Sequence, residues 1–556
     1  MGLLDSLSEL HRQTSLSIHL RFLGHDIPLL PTFSAIFVAS RVIKLLNGIR
    51  TVNNLPGFRL PLQPLTYPSV FFPTSWWNLG IGANWYWRNG VYDKFGSETI
   101  SVVPFLYGEP TIHTSNLEVT RQVIAGQGQG PGQVKARHFD KSEAANRTLA
   151  KWGMNLVTSL NDVWRKHRRV VGPAFNNDLY ELVWTETLNT YRQMEVAEGW
   201  EHRNAVVLPV VQKITTKLAL LVVARCGFGL SFDWSAPPMG PDGTMSVQES
   251  LRVLADSYML GLMAPDWVRN LPLPGFRQVR MAFNQFSSFM QREIEARTME
   301  VRNEEESADV RKDAFTMLVR ANEQETGKFK LDTQEVIGNV FILLFAGHET
   351  TAHTLAATLA LLALHPEIQS EILEQIVSVV GYDRDPKYED YSKLDKVLSA
   401  FYESLRLFPA AYIMVREATE DTVLDLPNPV GQEGFTQLPV AKGTQIILDM
   451  VGIQYNPRYF KDPEEFRPSR WYGVSNESEA FSAFSVGPRA CIGRKFATTE
   501  GVVFLTLLLR DWFIEPVFHE GESKEAWAKR IFSDPIAGLT LTVKDTPVKL
   551  TRRKRE

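Results

Sequence analysis

Apolar residues along this chain recur mostly at helical spacing, with a few short β-rich runs between the helical stretches. The longest pattern covers residues 332–364. It opens with the capping sequence Asp332-x-x-Glu335 and stops before His365-Pro366. At ~1.5 Å per residue such a helix crosses a whole domain. Residues 340–345 are apolar on every side, which predicts burial of all faces. Residues 83–95 also carry helical spacing, and within residues 162–175 Trp164 and Arg168 stand four apart, on one helix face. Residues 99–103 and 110–113 are β-rich and flank a glycine-containing turn, which predicts a hairpin. Residues 531–541 predict a turn and strand, with Pro535 and Gly538 fixing the turn. The pattern as a whole predicts a mainly α fold with a small β region.

Loops and ends complete the layout. The glycines of residues 125–133 have GxG spacing but no strand-to-helix context, so they predict a flexible loop rather than a nucleotide site. Residues 234–243 are rich in proline and glycine and predict a surface loop, and the terminal residues 551–556 a solvated tail. Residues 258–276 are apolar, aromatic and broken by prolines, fitting either an interior segment or a lipid-facing lip that admits substrate. Near the N-terminus, residues 27–40 are uncharged and mostly apolar, and reach bilayer length only when extended to Leu46 across Arg41 and Lys44. Those two cations can snorkel at one end, and with Arg50 they place the following residues on the cytosolic side. The segment spans a bilayer or lies along it, and it also fits a helix buried at the domain edge. Pro56, Gly57, Pro61 and Pro64 then predict a stiff exit. The expected division is an N-terminal anchor region at 1–50, a proline-rich hinge at 51–66 and one catalytic domain at 67–556.

Composition narrows the chemistry. A net charge of −4 over 556 residues gives no argument for nucleic acid. Two cysteines exclude a disulfide framework and fit a reducing compartment. Cys226, in an apolar helical pattern, packs as a small hydrophobe. Cys491 is different. It stands in the spacing F-x-x-G-x-R-x-C-x-G, formed by Phe484, Gly487, Arg489, Cys491 and Gly493, ahead of a run of helix formers. A metal-bound thiolate needs backbone N–H groups aimed at sulfur, and glycines let the backbone come close enough. Phe484 can cover the sulfur, Arg489 can reach an anionic group, and a helix N-terminus favours the thiolate.

This loop resembles the haem-binding signature of the cytochrome P450 monooxygenases, and other motifs follow in that family's order. Trp164 and Arg168 match W-x-x-x-R, which implies that both hold a haem propionate. Ala346 to Thr351, AGHETT, resembles the oxygen-activation motif; the resemblance assigns Thr350 to hydrogen-bond the oxygen being activated and Glu349 to feed protons through water. A glycine inside a buried helix costs about 1 kcal/mol against alanine, so Gly347 already points to a close approach by something large. Glu403 and Arg406 match E-x-x-R, and Arg470 in FRPSRW is similar to the arginine that completes a Glu-Arg-Arg cluster; all three are expected to be scaffold. Arg416 stands where the family uses a strand arginine for a propionate. Gln454 departs from the histidine of many relatives, and His167 and His348 have no assigned role.

The resemblance implies a cytochrome P450-like haem-thiolate fold, haem b between the central helix and the cysteine loop, and Cys491 as proximal iron ligand. It further implies a microsomal fungal-type monooxygenase that oxidises a lipophilic, terpenoid-like molecule in secondary metabolism. No flavin or ferredoxin segment is fused to the chain, so electrons are expected from NADPH through a separate NADPH-cytochrome P450 reductase, with cytochrome b5 as a second donor. The expected location is the endoplasmic reticulum membrane, with the catalytic domain on the cytosolic face. Two other readings are a haem-thiolate isomerase or dehydratase, against which Glu349 and Thr350 argue, and a non-catalytic haem-binding protein.

The lip reading has a direct check. In a form lacking the N-terminal anchor, polar substitutions at Met259, Leu262 and Trp267 are expected to weaken vesicle co-sedimentation or substrate affinity, and no change in either would remove the lip.

Overall fold

The computed structural model describes residues 19–22, 25–125, 138–142, 149–235, 239, 244–257, 274–303, 312–429, 431–474 and 481–554. The N-terminal apolar stretch forms helix α1 (Leu29–Thr51). Phe33, Ile36, Phe37, Val38, Val42, Ile43 and Leu46 are all exposed on it. Thr32–Thr51 is long and apolar enough to cross a membrane. The last turns are docked instead: Leu45 and Ile49 pack on the apolar face of a sheet, and a Cβ at Gly48 would lie 2.6 Å from Val103. Arg41 donates to the Leu106 carbonyl at 3.1 Å, which ties it to the sheet.

The segment expected to be a hinge contains β1 (Gly57–Leu62), an edge strand that accommodates Pro61 because one side of an edge needs no N–H donor. It pairs in parallel with β2 (Thr99–Tyr107). Before β2, the helical pattern of residues 83–95 splits into Ala83–Trp87 and Val91–Phe95, because Gly90 adopts φ 106° between them. The expected hairpin forms between β2 and β3 (Thr111–Thr114). The sheet is completed by β4 (Phe139–Asp140) and, from the other half of the chain, β5 and β6 described below, in the order β1-β2-β3-β6-β5-β4.

Helices supply the rest. Helix α2 (Asn161–Val171) carries Trp164 and Arg168. Helix α3 (Gln212–Phe228) packs along α4 (Thr333–Leu364), the central helix, whose Asp332/Glu335 capping box is formed. Two contacts fix α2 on α4: Asn339 Nδ2 to His167 Nδ1 at 2.7 Å, and Lys166 Nζ to Glu335 at 2.5 Å. His167 is therefore a buried tie between helices. Nearly the whole of α4 is buried, but Ala346 at its middle is exposed, because that turn faces an internal cavity.

Helix α5 (Asp395–Leu407) holds the buried ionic cluster. Glu403 and Arg406 are fully buried and joined by two bonds of 2.9 and 2.8 Å. Arg406 also donates to the carbonyls of Gln454, Pro463 and Glu465. Glu403 further accepts from Arg470 Nε at 3.1 Å, Trp471 Nε1 at 2.8 Å and the Arg467 N–H at 3.0 Å. Gln454 is part of this scaffold: it is buried, and its side chain donates to Ser482 at 2.9 Å. The cluster is followed by β5 (Ile413–Ala418) and β6 (Gln445–Asp449). Helix α6 (Arg494–Asp511) follows the cysteine loop, and β7 (Ile536–Ala537) and β8 (Leu541–Thr542) form a small C-terminal hairpin.

Two expectations are corrected in part. Within the expected surface loop Ser235 and Met239 are exposed, but Trp234 at its head is 2% exposed and donates to Glu198, because an indole of that size gains by packing. Thr551 and Arg552 belong to strand Val548–Arg552, paired on both sides, and Arg552 donates to the Trp200 carbonyl, so no tail begins there. Cys226 is buried as expected. Most of the glycine loop (126–133) and of the proposed lip (258–273) lies outside the described residues.

The buried cluster yields a stability prediction. Arg406→Met removes the closer of Glu403's two cations and leaves Arg470, and is expected to cost about 3 kcal/mol, read as a lower denaturation midpoint at unchanged slope.

Candidate functional site

The cysteine loop is a sequence of tight turns. Ser482–Phe484 and Gly487–Arg489 are single 3₁₀ turns. Gly487 takes φ 72°, a conformation a side chain would strain. The Cys491 N–H closes the loop on the Phe484 carbonyl at 2.9 Å. Gly493 caps α6, and its N–H lowers the pKa of the Cys491 thiol; a Cβ built there would lie 3.9 Å from Sγ, an ordinary contact. Burial pushes the thiol pKa up, while the Gly493 N–H and the charges of Arg494 and Arg168 pull it down. Burial outweighs these groups, so the thiol pKa is raised overall; the sulfur opens onto a cavity.

That cavity has a volume of about 220 Å³. Phe484, Arg489, Cys491 and Gly493 line one side, and Ile342, Ala346, Gly347, Thr350 and Thr351 of α4 line another. Thr350 Oγ1 donates back to the Ala346 carbonyl at 2.9 Å, and Thr351 to Gly347 at 3.2 Å, without breaking the helix. A Cβ at Gly347 would come within 3.2 Å of Val223 on α3, so the glycine serves helix packing as well as the cavity. Glu349 does not line the cavity. It accepts a hydrogen bond from Thr540 at 2.7 Å, beside the C-terminal hairpin. Burial raises its pKa and the Thr540 bond lowers it. His348 is buried and bonds the Leu344 carbonyl, a packing role.

Cations gather at one edge. Trp164, Arg168 and Arg489 line the cavity, and the Arg489 guanidinium lies 4.6 Å from the Trp164 ring while donating to the Ser159 carbonyl at 2.9 Å. Arg416 is not on the cavity wall; it donates to the Val415 carbonyl, and burial lowers its pKa. Lys141, which no motif singled out, does line the cavity and donates to the Val157 carbonyl. Its pKa is depressed to about 7, by burial first and then by the charges of Arg416 and Arg489. The sequence signal for Lys141 was indirect: it follows β4, which pairs with the strand that carries Arg416.

These residues fit haem. Among the described residues no group of three or more His, Cys, Asp or Glu could hold a metal ion. Cys491 can therefore supply one protein ligand, with the others coming from a non-protein ligand set. Arg168, Arg489 and Lys141 put positive charge on the cavity wall, which suits carboxylates, and small residues on α4 leave room opposite the sulfur.

Comparison with known proteins gives the family. The family model for cytochrome P450 matches residues 101–532. "Cytochrome P450 monooxygenase 124" of Postia placenta is 36% identical over 422 residues, covering 75% of this chain and 80% of that protein. "Cytochrome P450 monooxygenase prx9" of Penicillium rubens is 26% identical, covering 76% and 78%. "Cyclooctat-9-en-7-ol 5-monooxygenase" of Streptomyces melanosporofaciens is 28% identical, covering 72% and 79%.

Lys141 gives the site a pH signature. Unfolded, the amine holds its proton to about 10.5, whereas folded it releases it near 7, so the unfolded state binds more protons in that window and stability rises with pH. The ligand-free protein is expected to gain stability across it, and Lys141→Met to lose that gain, as measured by denaturant titration at each pH.

Proposed function

Because the chain belongs to the cytochrome P450 family, whose members bind haem and act as monooxygenases, we propose that it oxidises a lipophilic, terpenoid-like molecule in secondary metabolism. One observation carries this reading: Cys491 and the Ala346–Thr350 turn of α4 face one apolar cavity edged by Arg168, Arg489 and Lys141. Bound there, haem b would supply oxygen activation and the transfer of one oxygen atom to a substrate C–H bond.

The chain's own residues divide the remaining work. Cys491 would bind the haem iron through its sulfur, with the Gly493 N–H lowering its pKa and Phe484 on the same wall. Trp164, Arg168, Arg489 and Lys141 would hold the propionates from the cavity wall, and Arg416, beside Lys141, would add to the positive charge they meet. Thr350 places a hydroxyl in the cavity, and Glu349, one residue away, is the acid that supplies protons there. Its outward hydrogen bond means that the side chain must turn from Thr540 toward the cavity to do so. Electrons come from NADPH through a membrane-bound NADPH-cytochrome P450 reductase. Helix α1 is the anchor, at the endoplasmic reticulum with the domain on the cytosolic side; its exposed apolar face and docked last turns support this placement. Similarity to a monooxygenase named for cyclooctat-9-en-7-ol supports a lipophilic substrate, as do the apolar walls.

The test is a panel of lipophiles screened by the Soret shift on binding, followed by incorporation of labelled oxygen into product in the presence of reductase and NADPH. For Thr350→Ala, product per NADPH is expected to fall about tenfold, with hydrogen peroxide making up the difference. Unchanged coupling would remove Thr350 from the relay.

A further inference from the structure

Glu349 and His353 stand four residues apart on one face of α4, and a residue from a different part of the chain bridges them. Thr540, the residue before β8, places its Oγ1 2.7 Å from Glu349 Oε1 and 2.8 Å from His353 Nδ1. Thr540 is only 7% exposed, and its backbone is pinned: the Gly538 N–H bonds its carbonyl at 3.0 Å, the Leu541 N–H bonds the Ala410 carbonyl at 3.1 Å, and Tyr412 Oη donates to Gly538 at 2.8 Å. The hydroxyl is held in place by its neighbours rather than by chance contact.

A hydroxyl has one proton to give. When Glu349 is ionised, Thr540 donates to it and must accept from His353 Nδ1–H. When Glu349 is protonated, the chain runs the other way, from carboxyl to hydroxyl to imidazole nitrogen. We propose that His353 and Thr540 are positioning residues that form the supply end of a proton chain ending at Glu349, so that the C-terminal hairpin helps to deliver protons to the cavity. The inference rests on the monooxygenase reading above for its purpose, although the hydrogen-bond chain itself does not.

Each transfer balances without electrons. Glu349 releases its proton toward the cavity, the Thr540 hydroxyl proton moves to Oε1, the Nδ1 proton of His353 replaces it, and His353, which is partly exposed, takes a proton from water at its other nitrogen. Among the described residues, the groups that act on the pair are few. Burial raises the Glu349 pKa and Thr540 lowers it. His353 is pushed down to about 4 by burial and by His348, on the same helix. No charged side chain of the packed helices or of the hairpin contributes to either shift. A neutral His353 is suited to passing a proton on rather than keeping it.

The experiment uses full-length holoenzyme. The carboxyl infrared band of Glu349, identified by its loss in Glu349→Gln, is titrated with pH, and reductase-driven oxygen consumption is compared in H2O and D2O without added substrate. Thr540→Val is expected to raise the Glu349 midpoint by about one pH unit, because a bond to the ionised form is lost. Thr540→Val and His353→Phe should each slow oxygen consumption several-fold and enlarge the solvent isotope effect, while Thr540→Ser restores both readouts. An unmoved midpoint in Thr540→Val, or a Thr540→Ser protein that behaves like Thr540→Val, overturns the proposal. If the wild-type protein consumes no oxygen with reductase, it is the monooxygenase reading that fails, and the infrared midpoint still decides the chain.

Discussion

A thiol held at the mouth of a helix, with a backbone N–H aimed at its sulfur, is the constraint from which the rest of this structure follows. To present Cys491 this way, the chain must turn sharply at Gly487, close back on Phe484 and enter α6 at Gly493. The sulfur then faces α4, and the cavity between them requires small residues on that helix. Ala346 and Gly347 meet the requirement at some cost in helix propensity, and Gly347 also lets α3 lie close. The buried Glu403–Arg406–Arg470 cluster, with Trp471, ties α5 to the segments that lead into the loop.

Electrostatics at the cavity edge follow the same logic. Arg168, Arg489 and Lys141 line the cavity with Arg416 close behind Lys141, and the amine of Lys141 responds by giving up its proton at a pH well below its usual range. A group bearing carboxylates would pair with this charge.

Sequence alone made the site legible where chemistry demands particular residues at fixed spacing. Cys491, Gly493, Thr350, Trp164 and Arg168 line one cavity, and the E-x-x-R pair is joined by hydrogen bonds. Properties set by tertiary contact stayed hidden. That Glu349 turns toward Thr540 depends on a hairpin nearly two hundred residues away. Lys141 belongs to no motif, and its significance appears only once Arg416 and Arg489 are beside it. Trp471 and the Arg467 N–H join the ionic cluster because Glu403 has lone pairs left to satisfy. The proline-punctuated stretch concealed an edge strand, since prolines are compatible with an edge. Residues 551 and 552 read as a charged tail but pair on both sides, because backbone pairing does not depend on side-chain polarity.

The account turns on whether Cys491 binds haem iron through sulfur. Reduced holoenzyme treated with carbon monoxide should show the red-shifted Soret band of thiolate ligation, and Cys491→Ser should lack it. A band that persists in Cys491→Ser, or one that never appears in the unaltered protein, would contradict the account.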